Sequence, residues 1–415
     1  METYDIVIIG GGPAGLAAAN RAASGKQSVL LIEREAKLGG ILKQCIHDGF
    51  GLMRYKEKLS GPEYAEREIE KVKKTATKIK TLSFVTRIEK SEDLFLISLV
   101  TRQGLETIRA QKLILATGCR ERTAKQVAIH GTNPSGVLTA GSAQYYMNIL
   151  GQMPTKKCVI LGSGDIGLIM ARRITLEGGQ VLGVYEIKNQ PSGLTRNLIQ
   201  CLDDFSIPLY LSTTVTRVFG HDRLESVEVA RVDDRFRPIP GTEKRLDCDA
   251  LILSVGLIPE NEMAEMLGVP LNPATKGPFV DQTFETLVPG VFSCGNALHV
   301  SDVADMVSET GEIAAASTSL DNQSPRNLIP IKTNEALAYV VPSHLDVNKP
   351  LDGVVFYFRS RDCLTKQKLT LLVDGVSVMT RKYKQVRPPE MERLKLDLSK
   401  NAIKETIEIR LEADE

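Results

Sequence analysis

The stretch DIVIIGGGPAGLAAANRAASGKQSVLLIERE, residues 5–35, decides the fold. Residues 5–9 are a β-branched apolar run, residues 13–24 are small and helix-compatible, and VLLIE at 29–33 is a second buried strand. Between the first strand and the helix, Gly10, Gly12 and Gly15 have G-x-G-x-x-G spacing. The first glycine permits a tight turn, the second lets backbone approach a pyrophosphate, and the third lets helix pack on strand, with the helix's amino end facing the anion. Glu33 ends the second strand, at the distance where a carboxylate accepts hydrogen bonds from a ribose diol.

The same unit returns at KKCVILGSGDIGLIMARRITLEGGQVLGVYE, residues 156–186, with Gly162, Gly164 and Gly167 in the glycine positions and Glu186 as the terminal acid. Two such units imply two dinucleotides, unless the second is a relic with an empty site. Glu186 repels a 2′-phosphate and so favours NAD over NADP, while Lys188, Arg172 and Arg173 pull the other way.

Bulk properties narrow the class. A chain of 415 residues is long enough for two or three domains, and 42% apolar with 25% charged residues is ordinary for a globular protein. A net charge of +1 leaves no basic field for gripping nucleic acid, so small-molecule chemistry is favoured. Apolar runs are short and broken by glycine, which predicts neither a signal peptide nor a membrane span, and a cytoplasmic protein. The seven cysteines are scattered, with no CxxC pair and no metal-ligand spacing, which argues against disulfides, structural zinc and a resident iron–sulfur centre. If electrons leave by an iron–sulfur cluster, a partner supplies it.

KLILATG (112–118) reads as a buried strand before the second unit, and DALILSVGLIPEN (249–261) echoes it afterwards. GVFSCGNALHVSDVADMVSETGEIAAAS (290–317) then reads as a strand, a turn at Gly295-Asn296 and a helix of small residues. In this order the first fold is interrupted by the second and then completed. The chain resembles the two-dinucleotide-binding flavoproteins of the glutathione reductase superfamily over roughly residues 1–330. The resemblance implies an α/β fold of two Rossmann-like dinucleotide-binding domains, the second inserted in the first. Its parts are residues 1–119 (FAD-binding, first part), 120–257 (NAD-binding with a connecting segment) and 258–330 (FAD-binding, second part).

Carried over by position, Gly10, Gly12, Pro13, Ala14 and Gly15 would hold the FAD pyrophosphate, and Glu33 with Arg34 the adenosine end. Gly39 and Gly40 would let the chain pass close to the flavin, Val85 would meet the adenine, and Ala116, Thr117 and Gly118 would line the cofactor. Gly162, Gly164, Gly167 and Glu186 would receive NAD(H), with Gly256 beside it. Where the superfamily usually has Gly-Asp, this chain has Gly295-Asn296. Asparagine still accepts a ribityl hydroxyl through its amide oxygen, but local charge falls by one, which should raise the flavin potential slightly.

A narrower likeness is carried by GGILKQCIHDGFG (39–51), LATGCRERTAKQVAIHGTNPSGVLTAGSAQ (115–144) and CGNALHVSDVADMVSE (294–309). These resemble the flavoprotein subunits of opine oxidases, hydrogen cyanide synthase and dye-linked proline dehydrogenase. They are most similar to the oxidoreductase that accompanies anaerobic glycerol-3-phosphate dehydrogenase and a small cysteine-bearing protein. The likeness implies a subunit that works with a substrate dehydrogenase, an iron–sulfur protein or a cysteine-bearing electron-transfer protein; a homo-oligomer is a further possibility. Disulfide reductases of the superfamily carry redox cysteines two and seven residues after the second glycine, which here are Leu42 and His47. Cys45 lies between.

Three readings stay open for Cys45 and His47. Cys45 is a small buried apolar residue and His47 a loop residue; or His47 moves a proton at the flavin; or Cys45 is a single redox thiol, with His47 two residues away on the same face of an extended chain. His299 and Asp302 are weaker candidates. A helix beginning near Asp302 would aim its amino end at the flavin pyrimidine, where the N–H of Val303 could stabilise negative charge, but Asp302 reads more simply as that helix's N-cap.

From residue 331 onward LDGVVFYFRSRD (351–362), KLTLLVDGVSVMTRKYKQV (368–386) and ETIEIRLE (405–412) alternate apolar and polar residues between turn signals. Residues 331–415 should form a small antiparallel all-β domain for docking or dimerisation, or a structural cap. RPPEMERLKLDL (387–398) suits an edge or connection because of its adjacent prolines. The function expected is an FAD-dependent oxidoreductase that passes hydride between NAD(H) and FAD and exchanges electrons with a partner dehydrogenase, with glycerol-3-phosphate oxidation as the linked reaction. The alternatives are a single-cysteine NADH peroxidase or disulfide reductase using Cys45, and an FAD-binding structural or electron-conducting subunit without NADH turnover of its own.

Overall fold

The computed structural model describes residues 1–320 and 325–414; residues 321–324, inside the expected 258–330 segment, and residue 415 lie outside the described residues. The chain divides into two compact units, residues 1–119 with 259–415, and residues 120–258.

In the larger unit, strand Thr3–Ile9 lies between parallel neighbours Val29–Ile32 and Gly104–Leu115. Every residue of Val29–Ile32 is buried, as expected of a parallel strand covered on both faces. Gly104–Leu115 carries both directions of pairing within one seven-stranded sheet. Its first half pairs antiparallel with Leu94–Thr101, which pairs with Phe84–Ser91, and its last residues pair parallel with Val291–Ser293. The helix Pro13–Ala22 follows the glycine turn, and Ala304–Ser317 packs across it through small residues. A Cβ built on Gly311 would lie 2.1 Å from Ala14 O, so only glycine lets these two helices approach so closely.

The smaller unit repeats the arrangement. A five-stranded parallel sheet runs in the order 137–139, 250–253, 157–161, 180–185, 209–210, with helix Asp165–Leu176 after its glycine turn. A four-stranded sheet containing Thr213–Gly220, Leu224–Arg231 and Lys244–Asp247 accompanies it. The fold class is thus α/β with two Rossmann-like units, the second inserted in the first.

The C-terminal strands form a sandwich of a five-stranded and a three-stranded sheet around a core that includes Leu345, Phe356, Phe358, Leu369 and Ile409. The sandwich is not wholly antiparallel, because Leu328–Thr333 pairs parallel with Ile407–Ala413. Strand Val354–Ser360 faces two cores. Val354, Phe356 and Phe358 point into the sandwich, while Val355 and Tyr357 point into the core built on Ile6, Leu16 and Phe292. Pro388 and Pro389 lie in the connection before the edge strand Glu392–Leu396.

His299 is fully buried where the C-terminal strands meet this first core, its ring 5.2 Å from Tyr357 and 6.2 Å from Tyr339. Among the described residues neither ring nitrogen has a hydrogen-bond partner, and burial, helped by the Arg359 charge, pushes its pKa down to about 3.

Two predictions follow from this packing. Gly311→Ala should lower stability by roughly 1–3 kcal/mol, read as a drop in melting temperature, because the added methyl meets backbone rather than a movable side chain. For His299, the folded chain stays neutral while the unfolded chain takes up a proton below its ordinary value of 6.5. Stability conferred by the neutral ring is therefore complete above 6.5 and is lost as pH falls toward 3, by about 1.4 kcal/mol per pH unit. Between pH 7 and 5, His299→Leu should lose roughly 2 kcal/mol less stability than the parent chain in denaturant titrations; equal losses would contradict the burial argument.

Candidate dinucleotide sites

The three glycines of the first unit have separable mechanical roles. Gly10 has a φ of 110°, and a Cβ there would lie 2.3 Å from Ala116 O. A Cβ on Gly15 would lie 1.8 Å from Gly10 O, which is the close packing of helix on turn. On Gly12 it would meet nothing closer than Gly40 Cα, at 3.9 Å, so this face of the turn is open. Gly12 is also the N-cap, with no side-chain cap, and Pro13 occupies the first helical turn. The amides behind it, from Ala14 onward, are the positive end of the helix dipole, left for an anion. An open, uncapped helix end in a glycine cradle fits a dinucleotide pyrophosphate.

The other residues expected of the first site gather around this end. Gly39 N–H donates to Gly11 O at 2.8 Å, and Gly40, at φ 53°, would bring a Cβ to 3.0 Å from Gly12 Cα. Gly295 donates its N–H to Thr310 Oγ1 and would bring a Cβ to 2.8 Å from Ala14 Cβ. Thr117 Oγ1 donates to Glu260 O at 2.6 Å, and Gly118, with φ 77°, has open space where a Cβ would be. The buried Glu33 carboxylate accepts from Gly11 N–H and Glu35 N–H, both at 2.8 Å, one on each oxygen, leaving lone pairs for a ribose diol. Arg34 pairs with Glu260 at 3.1 Å. Val85 turns its side chain into the core, so a contact with adenine falls to its main chain.

Asp302 does not cap the helix. The N-cap is Val303, without a side-chain cap; Asp302 instead forms an ion pair with Arg359 and accepts from Met391 N–H at 2.6 Å. Asn296 Oδ1 accepts from Ser301 N–H at 3.1 Å within the same loop, and its Nδ2 donates to Cys119 Sγ at 3.4 Å. One lone pair of that amide oxygen remains for a ribityl hydroxyl.

Cys45 and His47 do not lie on an extended strand as one reading supposed. Cys45 ends the short 3-10 helix Gly40–Gln44, its thiol donating to Ile41 O at 3.3 Å, and its backbone carbonyl accepts from Gly61 N–H. Burial pushes the thiol up to about 12, the wrong direction for a thiolate. His47 is half-buried, its ring tilted against Phe50 at 5.1 Å. Two further residues had no motif to mark them. Asp305 is buried and accepts from Met53 N–H at 3.1 Å, tying helix Ala304–Ser317 to the segment after His47. Gly61 permits the Cys45 turn, since a Cβ there would lie 2.6 Å from Cys45 O.

In the smaller unit, Gly162 has φ 95° and Gly167 would bring a Cβ to 2.7 Å from Ser254 Cβ, so both keep their turn and packing roles. Gly164 is the N-cap of its helix, again without a side-chain cap. Around it the chain is more self-contained. Glu186 Oε2 accepts from Ser163 N–H, Ser163 Oγ and Ser192 Oγ, and Oε1 from Lys188 N–H. Asp165 Oδ1 accepts from Leu194 N–H and Asn197 Nδ2, holding the following loop beside the turn. A lone pair on Glu186 Oε1 remains for a ribose hydroxyl, so the fit to a dinucleotide holds with less spare capacity than in the first unit. Gly256, φ 100°, accepts from Arg122 N–H through its carbonyl.

The family model for pyridine nucleotide-disulphide oxidoreductase matches residues 4–319. The chain is 28% identical to the hydrogen cyanide synthase subunit HcnB of Pseudomonas protegens, covering 64% of this chain and 59% of that one. It therefore spans about three-fifths of the length of that relative. It is 26% identical to a ferredoxin–NADP reductase of Leuconostoc citreum, over 74% of this chain and 87% of that one. The crystal structure of Lactococcus lactis thioredoxin reductase superposes with a TM-score of 0.63 at 22% identity, covering 76% of this chain and 97% of that one, a likeness of fold. Among the described residues no helix is long and apolar enough to cross a membrane. The chain belongs to the pyridine nucleotide-disulphide oxidoreductase family.

Proposed function

We propose that this chain is the flavoprotein subunit of a cytoplasmic dehydrogenase complex, moving hydride between NAD(H) and FAD and exchanging electrons with a partner. The observation that carries the proposal is the flavin-side turn itself. Gly39-Gly40 is locked onto Gly11-Gly12 as a flavin-binding turn requires, while the relay positions hold Leu42 and His47 and the thiol between them, Cys45, is buried and held protonated. A flavin site without an internal dithiol needs an external electron exit.

FAD, when bound, supplies a two-electron store that accepts hydride and can release electrons singly or in pairs. The chain's own residues supply position and charge. Gly10, Gly12, Pro13, Ala14 and Gly15 hold the pyrophosphate, Glu33 the ribose, and Gly295 with Asn296 the ribityl chain. Val303 leads a helix whose open amino end favours negative charge. Gly162, Gly164, Gly167, Glu186 and Gly256 receive the nicotinamide dinucleotide. His47 stands in the loop that follows the turn and is the residue there able to move a proton near neutral pH.

The partner is a substrate dehydrogenase subunit, an iron–sulfur protein or a cysteine-bearing electron-transfer protein. Support comes from the family likeness to HcnB, named as a subunit of hydrogen cyanide synthase. Glycerol-3-phosphate oxidation is the linked reaction we favour, on the motif likeness of residues 39–51, 115–144 and 294–309 alone.

Mixed anaerobically with NADH, the FAD-loaded chain should lose its flavin absorbance; retention of the oxidised spectrum would sink the NADH reading and leave an electron-conducting subunit. Cys45→Ser should keep at least half of the NADH–acceptor turnover, since a buried protonated thiol takes no electrons; loss of turnover with FAD retained would establish the single-cysteine alternative instead. NADPH should be about tenfold or more poorer than NADH in kcat/KM, because a 2′-phosphate meets the Glu186 carboxylate, whose neighbours already fix it in place.

A further inference from the structure

We infer that Arg359, in the C-terminal sandwich, is a positioning residue for the flavin end of the site: it draws the Asp302 carboxylate away from the amino end of helix Ala304–Ser317 and keeps that end open. The inference rests on the FAD reading above, since it concerns what that helix end offers to a bound flavin.

The local sequence favours a closed helix end. Asp302 and Asp305 stand three apart, the spacing at which an acidic N-cap and an acid in the first turn satisfy each other's amides. Neither does so here. Asp305 turns to Met53 N–H, and Asp302 is engaged by two residues of the C-terminal sandwich, Arg359 and Met391. Arg359 is built for this. It continues the face of its strand that carries Val355 and Tyr357 toward the first core. Its guanidinium is mostly buried and spends its donors on four groups: Tyr339 Oη at 2.9 Å, Pro388 O at 3.0 Å, Val300 O at 3.1 Å and the Asp302 carboxylate. Two of those four lie in the loop joining Asn296 to Val303, so one side chain fixes both the loop and its acid. The helix that follows has Val303 as N-cap and no side-chain cap.

The chemistry depends on where one negative charge sits. With Asp302 paired to Arg359, the helix end carries one acid fewer against its dipole, which favours the negative charge that two-electron reduction would add to a flavin held there. Freed from Arg359, Asp302 can swing to cap the same amides, and its charge then opposes reduction. The buried Asp305 carboxylate adds a constant background in both states.

The test uses the FAD-loaded full chain, reduced slowly by xanthine and xanthine oxidase against a reference dye, so that no NADH is involved. At the parent midpoint, Arg359→Leu should show a reduced-to-oxidised flavin ratio about tenfold lower. Asp302→Ala, which leaves Arg359 uncompensated, should show a ratio higher by about threefold or more. The double variant should fall back between the two. A general loosening of the loop would move both single variants in the same direction, and that result, or no shift in either, overturns the inference. If Arg359→Leu fails to fold or to keep FAD, Asp302→Ala decides alone: a higher ratio supports the inference, and an unchanged or lower one defeats it. Failure of the wider proposal looks different, either as a parent chain that binds no FAD or as one whose flavin NADH does not bleach.

Discussion

The larger unit depends on the approach of bare backbone to the amino end of one helix, Pro13–Ala22. Three segments far apart in the chain reach it without side chains: Gly39-Gly40 beside Gly11-Gly12, Gly295 beside Ala14, and Gly311 against the Ala14 carbonyl. Each glycine costs conformational entropy that an alanine would not. The chain accepts this cost at one place because the alternative is worse. A methyl on Gly311 or Gly295 would push the later helix away, and one on Gly40 would press into Gly12, whose open face is the cradle itself. The same contacts that close the core therefore keep the helix end accessible.

Much of this was legible in the sequence, because glycine spacing and apolar runs are local signals. The α/β class, with two strand–turn–helix units and one inserted in the other, agrees with what the residues indicated. What could not be read was long-range competition for a group. Asp302 has the type and spacing of a cap, and nothing near it reveals that Arg359, 57 residues on, outbids the helix amides. Glu186 looks like Glu33 in sequence, yet Ser163 and Ser192 occupy one of its oxygens while Glu33 meets only backbone. The parallel pairing of Leu328–Thr333 with Ile407–Ala413 was hidden for the same reason, since alternation shows a strand but not its partner's direction.

The two cradles differ in chemistry as well as in place. Behind Gly12 there is a helix end with no acid in its first turn, whereas the turn at Gly164 is followed directly by Asp165. That carboxylate is engaged by Leu194 N–H and the Asn197 amide. To receive an anion the second turn would have to keep its own acid aside through the 188–194 loop, whereas the first would meet it with backbone alone.

The same logic of a shared element governs the tail. A detachable docking module would have its own core and a wet seam, but strand Val354–Ser360 alternates between two cores. Val355 and Tyr357 bury side chains beside Phe292 and Ala314, each contributing about 1.5–3 kcal/mol to the first core, and Tyr357 Oη donates to Glu309 at 2.6 Å. Arg393 holds the same carboxylate through Nε at 2.7 Å. Glu309 belongs to helix Ala304–Ser317, as do Asp305 and the open amino end. The C-terminal sandwich thus grips that helix just before its start through Asp302 and about two turns further on through Glu309. A chain ending near residue 330 would take Val355 and Tyr357 out of the first core and leave Glu309 without Tyr357 or Arg393, so the tail is structurally part of the larger unit and any docking role would be additional to that.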